Sequence, residues 1–252
     1  MPKKKKRIVV ANWKMNPGTL REAETIFMGI KKETRGAEAK IIVCPPFVYL
    51  NELKHFFVKD RLALGVQDIF WEEKGAYTGE ISAEMIETVG GSYVIVGHSE
   101  RRALGETDEM ISKKTLAALK AGLTVILCIG EKERDDHGKY LGFLKEQMSA
   151  SLKSVNRKFA DKIIVAYEPI WAIGKGHAAM TPHDLHQMSL FIRKHLIDIY
   201  NSAVGSSIPI LYGGSVDPDN AASIVNEGEV DGLLVGRESL NPERFGMIAR
   251  SL

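Results

Sequence analysis

Three side chains able to do acid–base or electrostatic work each stand at or just beyond the end of a short apolar run: Lys14 after Ile8 to Asn12, His98 after Tyr93 to Gly97, and Glu168 after Ile163 to Tyr167. A carboxylate, an imidazole and an ammonium are the set needed to move a proton beside a carbonyl group. The carboxylate takes the proton from carbon, a neutral imidazole donates to the oxygen, and the ammonium stabilises the oxyanion that develops. That chemistry calls for neither a metal nor an organic cofactor.

The neighbours of each residue sharpen the reading. His98 lies in Gly97-His98-Ser99-Glu100-Arg101-Arg102, a glycine turn leading into a helical start. Backbone N–H groups aimed at the ring there would disfavour imidazolium. The remaining histidines, His55, His137, His177, His183, His186 and His195, lack such company and are read as structural. Glu168 opens Glu-Pro-Ile-Trp-Ala-Ile-Gly-Lys-Gly, in which Pro169 favours an extended backbone at Glu168. The apolar stretch before Gly174 and Gly176 predicts a lid that swings over a ligand and expels water. Tyr212-Gly213-Gly214-Ser215 and Val235-Gly236-Arg237-Glu238-Ser239 each follow an apolar run. Glycines at such turns let main-chain amides face an anion, so the two segments together predict a phosphate seat.

The elements that must hold these residues follow from periodicity. Eight short β-branched runs alternate with segments of helical period: Ile8 to Asn12, Ile41 to Cys44, Leu62 to Gln67, Tyr93 to Gly97, Val125 to Ile129, Ile163 to Tyr167, Ile208 to Tyr212 and Gly232 to Val235. Most are apolar throughout, as expected of parallel strands buried on both faces. Between them, Leu20, Ala23, Ile26, Phe27 and Ile30 recur at helical spacing, and Thr181-Pro182-His183-Asp184 reads as a capped helix start. No Pro/Gly/Ser-rich linker divides the 252 residues, so a single α/β domain over 1–252 is expected. Eight units at this length favour a closed barrel of eight parallel strands, whose active site forms at the C-terminal ends of the strands.

Bulk properties exclude several classes. A formal net charge of +2 argues against a nucleic-acid or membrane surface spread over the fold. The basic run Lys3 to Arg7 runs straight into Ile8-Val9-Val10 and reads as a solvated lead-in that protects the first strand. Cys44 and Cys128 have neither metal-ligand spacing nor a disulfide framework, so reduced thiols in a cytoplasmic protein are expected. No apolar run approaches the roughly 18 residues needed to cross a bilayer.

Asn12 to Asn16, Gly75 to Ser82, Gly97 to Arg102, Cys128 to Glu131, Ala166 to Gly174 and Tyr212 to Val216 occur together and in order, and by them the chain resembles the triosephosphate isomerase family along essentially its whole length. The resemblance implies a (β/α)8 TIM barrel that interconverts dihydroxyacetone phosphate and D-glyceraldehyde 3-phosphate, in glycolysis and gluconeogenesis. Glu168 would be the base, His98 the electrophile, and Lys14 and Asn12 the stabilisers of the oxyanion, supported by Glu100 and Ser99. Gly174, Ser215, Gly236 and the N–H of Arg237 would hold the phosphate. The Thr78 loop would reach into a partner, making a homodimer. The chain departs from the family pattern at Arg237, where a second glycine is usual, and at the bulkier Glu238. It also departs in the short Ala103-Leu104-Gly105 segment, in Asn16-Pro17-Gly18, and at Lys175, His177 and Ala178. At this stage two rivals stand beside this reading: an isomerase of a longer sugar phosphate, and a barrel that binds phosphate ligands or RNA through Lys3 to Arg7 without catalysis.

Overall fold

The computed structural model describes residues 6–56, 62–172 and 180–252. Its strands are β1 (Ile8–Asn12), β2 (Lys40–Cys44), β3 (Leu62–Val66), β4 (Tyr93–Val96), β5 (Thr124–Ile129), β6 (Ile163–Tyr167), β7 (Ile210–Tyr212) and β8 (Gly232–Val235). Each pairs in parallel with the next, and β8 pairs with β1, closing the barrel. Between and after them run α1 (Leu20–Glu33), α2 (Phe47–Leu53), α3 (Ala83–Thr88), α4 (Ser99–Ala103), α5 (Asp108–Lys120), α6 (Lys139–Leu152), α7 (Pro182–Ile199), α8 (Ser202–Gly205), α9 (Ala221–Glu227) and α10 (Pro242–Arg250). Among the described residues no helix is long and apolar enough to cross a membrane.

Closure explains the unbroken apolar runs. Successive side chains on a strand point to opposite faces, and here both faces are covered. Val9, Ala11, Ile41, Val43, Val94 and Leu127 belong to a large cluster shared with helix residues such as Phe27, Ile30, Leu144 and Ile192. Ile8, Val10, Ile42, Ile95, Ile126, Leu211 and Leu234 form a second cluster made only from strands, which fills the barrel interior. Burying each such aliphatic side chain stabilises the fold by about 1.5–3 kcal/mol.

Five strand ends differ from the sequence expectation: β2 and β5 each begin one residue earlier, at Lys40 and Thr124, and the other three differ for a local reason. β7 begins at Ile210 and not Ile208, because Pro209 has no N–H for the ladder; its carbonyl still accepts from Val165 N at 2.9 Å. β4 ends at Val96 because Gly97 adopts φ 73°, a left-handed conformation that stops the strand. β3 ends at Val66, and the Gln67 amide turns away to the backbone of the loop after β1 and of β2.

Helix starts follow their caps. Thr181 accepts from Asp184 N with Pro182 in the first turn, and Thr19 and Thr107 cap α1 and α5 in the same way. Ala23, Phe27 and Ile30 of α1 are buried, while Leu20 remains partly exposed. At the start of β1, Arg7 donates to the Val230 carbonyl at 2.5 Å, so this member of the basic run is fastened to the barrel. Lys3 to Lys5 lie outside the described residues.

A buried charge cluster joins the loop after β3 to α4 and α5. Lys114 Nζ lies 2.8 and 2.7 Å from the two oxygens of Asp68 and 2.6 Å from Glu106 Oε1. Arg101 reaches both carboxylates, at 3.0 and 2.6 Å. Burial is the main force pushing the Asp68 carboxyl up to about 6, against the opposing pull of Lys114. Lys114→Met keeps the volume but leaves two buried carboxylates facing Arg101 alone. It should destabilise the protein by about 3–5 kcal/mol in chemical denaturation; a loss under about 1 kcal/mol would mean the cluster holds little of the frame.

Candidate active site

Asn12, Lys14, His98, Glu168, Ser215, Gly236 and Arg237 all line one cavity of about 420 Å³. It opens beyond the C-terminal ends of β1, β4, β6, β7 and β8, where the loops after the strands meet. The strands set the distances: β6 delivers Glu168 and β4 delivers His98 two strands away, with β5 between them.

His98 caps α4, and its Nδ1 accepts from the Glu100 amide at 3.2 Å. Its Nε2 lies 3.1 Å from Glu168 Oε1. With an N–H already directed at Nδ1, the proton of a neutral ring resides on Nε2, the nitrogen that faces the cavity. Glu168 is almost wholly buried, and its second oxygen accepts from the Ser99 amide at 3.0 Å. The Ser99 contribution is therefore made by the backbone.

The electrostatics are reciprocal. Burial alone would push Glu168 up, but the neighbouring His98, the Ser99 amide and Lys14 together draw it below the ordinary carboxylate value. Burial alone would push His98 down, yet the charge and hydrogen bond of Glu168 lift it above its ordinary value. Once the carboxylate turns to another partner, burial, Lys14 and the Glu100 amide favour the neutral ring against the opposing charge of the Glu100 carboxylate.

Lys14 has φ 55°, in the left-handed region that non-glycine residues rarely occupy. Its N–H donates to Asn12 Oδ1 at 3.1 Å. The Gln67 amide donates to the Lys14 and Cys44 carbonyls at 2.8 and 2.9 Å. This clamp holds a conformation that costs about 1–3 kcal/mol and aims the ammonium into the cavity. There Lys14 Nζ meets Glu100 Oε1 at 2.5 Å. Because Asn12 Oδ1 is engaged, its side-chain NH2 is the group left for a ligand.

On the far wall, Gly213 packs so closely that a Cβ there would sit 2.9 Å from Glu168 Cγ, and one on Gly214 would sit 2.2 Å from the Tyr212 hydroxyl. The Gly213 amide is engaged with the Tyr167 carbonyl at 2.8 Å, so any anion contact on this wall comes from beyond it. Gly236 precedes a 3-10 turn, Arg237–Leu240, whose first amides have no partner within the turn. Glu238 is ion-paired with Arg244.

The segment carrying Glu168 is fastened at its base by residues the sequence did not single out for a role. Glu131 Oε1 accepts from the Tyr167 hydroxyl, Trp171 Nε1 and Arg134 Nε at 2.8, 2.9 and 3.1 Å. Glu131 also accepts the Ile170 N–H through its carbonyl. A charged residue at the end of an apolar strand was the signal available for Glu131, as a polar one was for Gln67. The expected hinge, with Gly174, Lys175, Gly176, His177 and Ala178, lies outside the described residues. Thr78 stands in an exposed loop between β3 and α3, away from this cavity. Cys44 and Cys128 are buried inside the barrel, and burial pushes both thiols well up. Among the described residues no group of three or more His, Cys, Asp or Glu could hold a metal ion.

Fold and site together define the class: a closed parallel barrel with a carboxylate, an imidazole and an ammonium gathered at its C-terminal mouth. Residues 7–252 match the family model described as triosephosphate isomerase. Proteins named triosephosphate isomerase from Dictyoglomus turgidum (41% identical over 98% of this chain and all of the other), Thermoanaerobacter pseudethanolicus (42% over 96% and 97%) and Dehalococcoides mccartyi (45% over 96% of each) are similar throughout. The chain belongs to the triosephosphate isomerase family and is an isomerase of that type.

Because Glu168 is what lifts His98, Glu168→Gln should lower the pH at which His98 titrates, read from imidazole NMR shifts between about pH 5 and 8. An unchanged titration would mean that the carboxylate does not hold the ring.

Proposed function

We propose that the protein interconverts dihydroxyacetone phosphate and D-glyceraldehyde 3-phosphate through an enediolate, acting in glycolysis and gluconeogenesis. The observation that carries this reading is the 3.1 Å contact between His98 Nε2 and Glu168 Oε1 at the floor of the cavity. It puts base and electrophile within reach of the same two-carbon fragment. Triosephosphate isomerase is itself the standard example of a glutamate base working with a neutral histidine.

In the reaction, Glu168 gives up its contacts with His98 and Ser99 and takes a proton from the carbon beside the carbonyl. The C–H electron pair becomes the new C=C bond, and the carbonyl pair moves onto oxygen. His98 Nε2–H, the Lys14 ammonium and the Asn12 amide stabilise that oxyanion, and Glu100 orients Lys14 through their ion pair. His98 Nε2 gives its proton to that oxyanion and takes the proton of the hydroxyl on the adjacent carbon, whose oxygen becomes the new carbonyl as Glu168 returns its proton to the former carbonyl carbon. Ser215, Gly236 and the N–H of Arg237 hold the phosphate, with Gly174 joining from the lid. Phosphate binding closes the lid and excludes water, which keeps the enediolate from eliminating phosphate to a dicarbonyl.

The active form is a homodimer in the cytoplasm. Met15, directly after Lys14, is 95% exposed, and an apolar side chain in that position calls for a partner surface. The Thr78 loop of the other subunit supplies it and braces Asn12 and Lys14.

A coupled assay with both triose phosphates tests the activity, and a four-carbon ketose phosphate in parallel tests the longer substrate. His98→Leu should lower turnover by about 10² to 10³ by removing the donor. Glu168→Asp should cost about 10² by drawing the carboxylate back by on the order of 1 Å. Wild-type rates in either variant would reassign the roles. Thr78→Arg should yield a monomer of low turnover in sedimentation and assay; a fully active monomer would remove the partner from the mechanism.

A further inference from the structure

The charges lining the cavity are not equally available. Lys14, Arg237 and Arg244 face it together with Glu168, Asp217 and Glu238. Lys14 is committed to Glu100 at 2.5 Å. Arg244 is committed to Glu238 through its Nε. Arg237 is exposed at the cavity rim, and its side chain makes no hydrogen bond or ion pair among the described residues.

A site for a dianion cannot work well behind a ring of carboxylates. Without Arg237, two cations would stand against four carboxylates, counting Glu100. Glu238 is the most awkward of these, since it lies in the same 3-10 turn as the amides proposed to hold the phosphate. Arg244 offsets the charge of Glu238 locally, so this pair adds little net positive charge to the cavity. Arg237 has no such commitment and is tethered at the first residue of the turn.

We propose that the Arg237 guanidinium is a specificity-determining element of this site: the uncommitted cation that draws dianionic substrates to the cavity and takes an outer oxygen of their phosphate. This goes beyond the main-chain contact assigned to the same residue, and it rests on the isomerase reading for the identity of the dianion. A guanidinium offers two parallel N–H groups to phosphate, which an ammonium does not. Where a smaller residue would leave recognition to amides alone, this chain adds a long-range attraction that depends on ionic strength.

The test uses the full chain as wild type, Arg237→Gln and Arg237→Lys, with KM and turnover for a triose phosphate measured across a salt series. Inorganic phosphate serves as a second probe, titrated calorimetrically. Arg237→Gln should raise KM and weaken phosphate binding by about 5- to 10-fold, with most of the loss in KM, and should flatten the dependence of kcat/KM on salt. Arg237→Lys should recover the salt dependence and part of the affinity. Wild-type KM, phosphate affinity and salt slope in Arg237→Gln would overturn the proposal, as would a loss confined to turnover. If the wild-type protein did not isomerise triose phosphates, the functional reading would fail, while the phosphate titrations would still decide the role of Arg237.

Discussion

A carboxylate buried to the degree of Glu168 is tolerable only while donors hold it, and much of this structure is arranged to supply them. Leaving such a charge unpaired in a dry site would cost several kcal/mol. Two donors meet that demand, the His98 ring and the Ser99 amide, and both belong to the turn between β4 and α4. These contacts therefore also form a structural joint between β4 and β6. On the proposed mechanism, the donors that hold the carboxylate at rest are exchanged for substrate. Stability of the empty site and reactivity of the filled one are set by the same hydrogen bonds.

The barrel earns its place by fixing where those donors are. Parallel pairing of β4 with β5 and β5 with β6 sets the lateral spacing of His98 and Glu168, so neither side chain depends on a long loop for its position. Lys14 is a different case. It sits just past a strand end in a left-handed conformation, and the Asn12 and Gln67 side chains take up the polar groups that this bend exposes. Here the sheet supplies the anchor and side chains supply the direction.

Reading the sequence located what depends on residue type and order, and missed what depends on contacts across the fold. The eight runs, their parallel pairing and the placement of Lys14, His98 and Glu168 at the barrel mouth were legible, because apolar continuity and strand-end polarity are local signals. Pro209 and Gly97 shortened two strands for reasons also present in the sequence, namely a missing donor and a left-handed turn. Glu131 was different: nothing local announces that one carboxylate oxygen will collect donors from Tyr167, Trp171 and Arg134, which lie up to 40 positions away. The same holds for Gln67, which ties the loop after β1 to the end of β2, and for the Lys114 cluster, where a residue type usually found in solvent is buried. The loss of the Gly213 amide to Tyr167 likewise followed from sheet register rather than from the glycine pair itself.

The placement of the two cysteines has a consequence of another kind. Cys44 and Cys128 lie among the strand-only cluster inside the barrel, and the cost of charging a sulfur there suppresses the thiolate that alkylation and disulfide exchange require. Small openings of surface helices would not reach them; only parting of the strands would. The protein thus carries an internal clock for cooperative unfolding, silent while the barrel is closed, and is indifferent to the redox poise of its surroundings for as long as it remains folded.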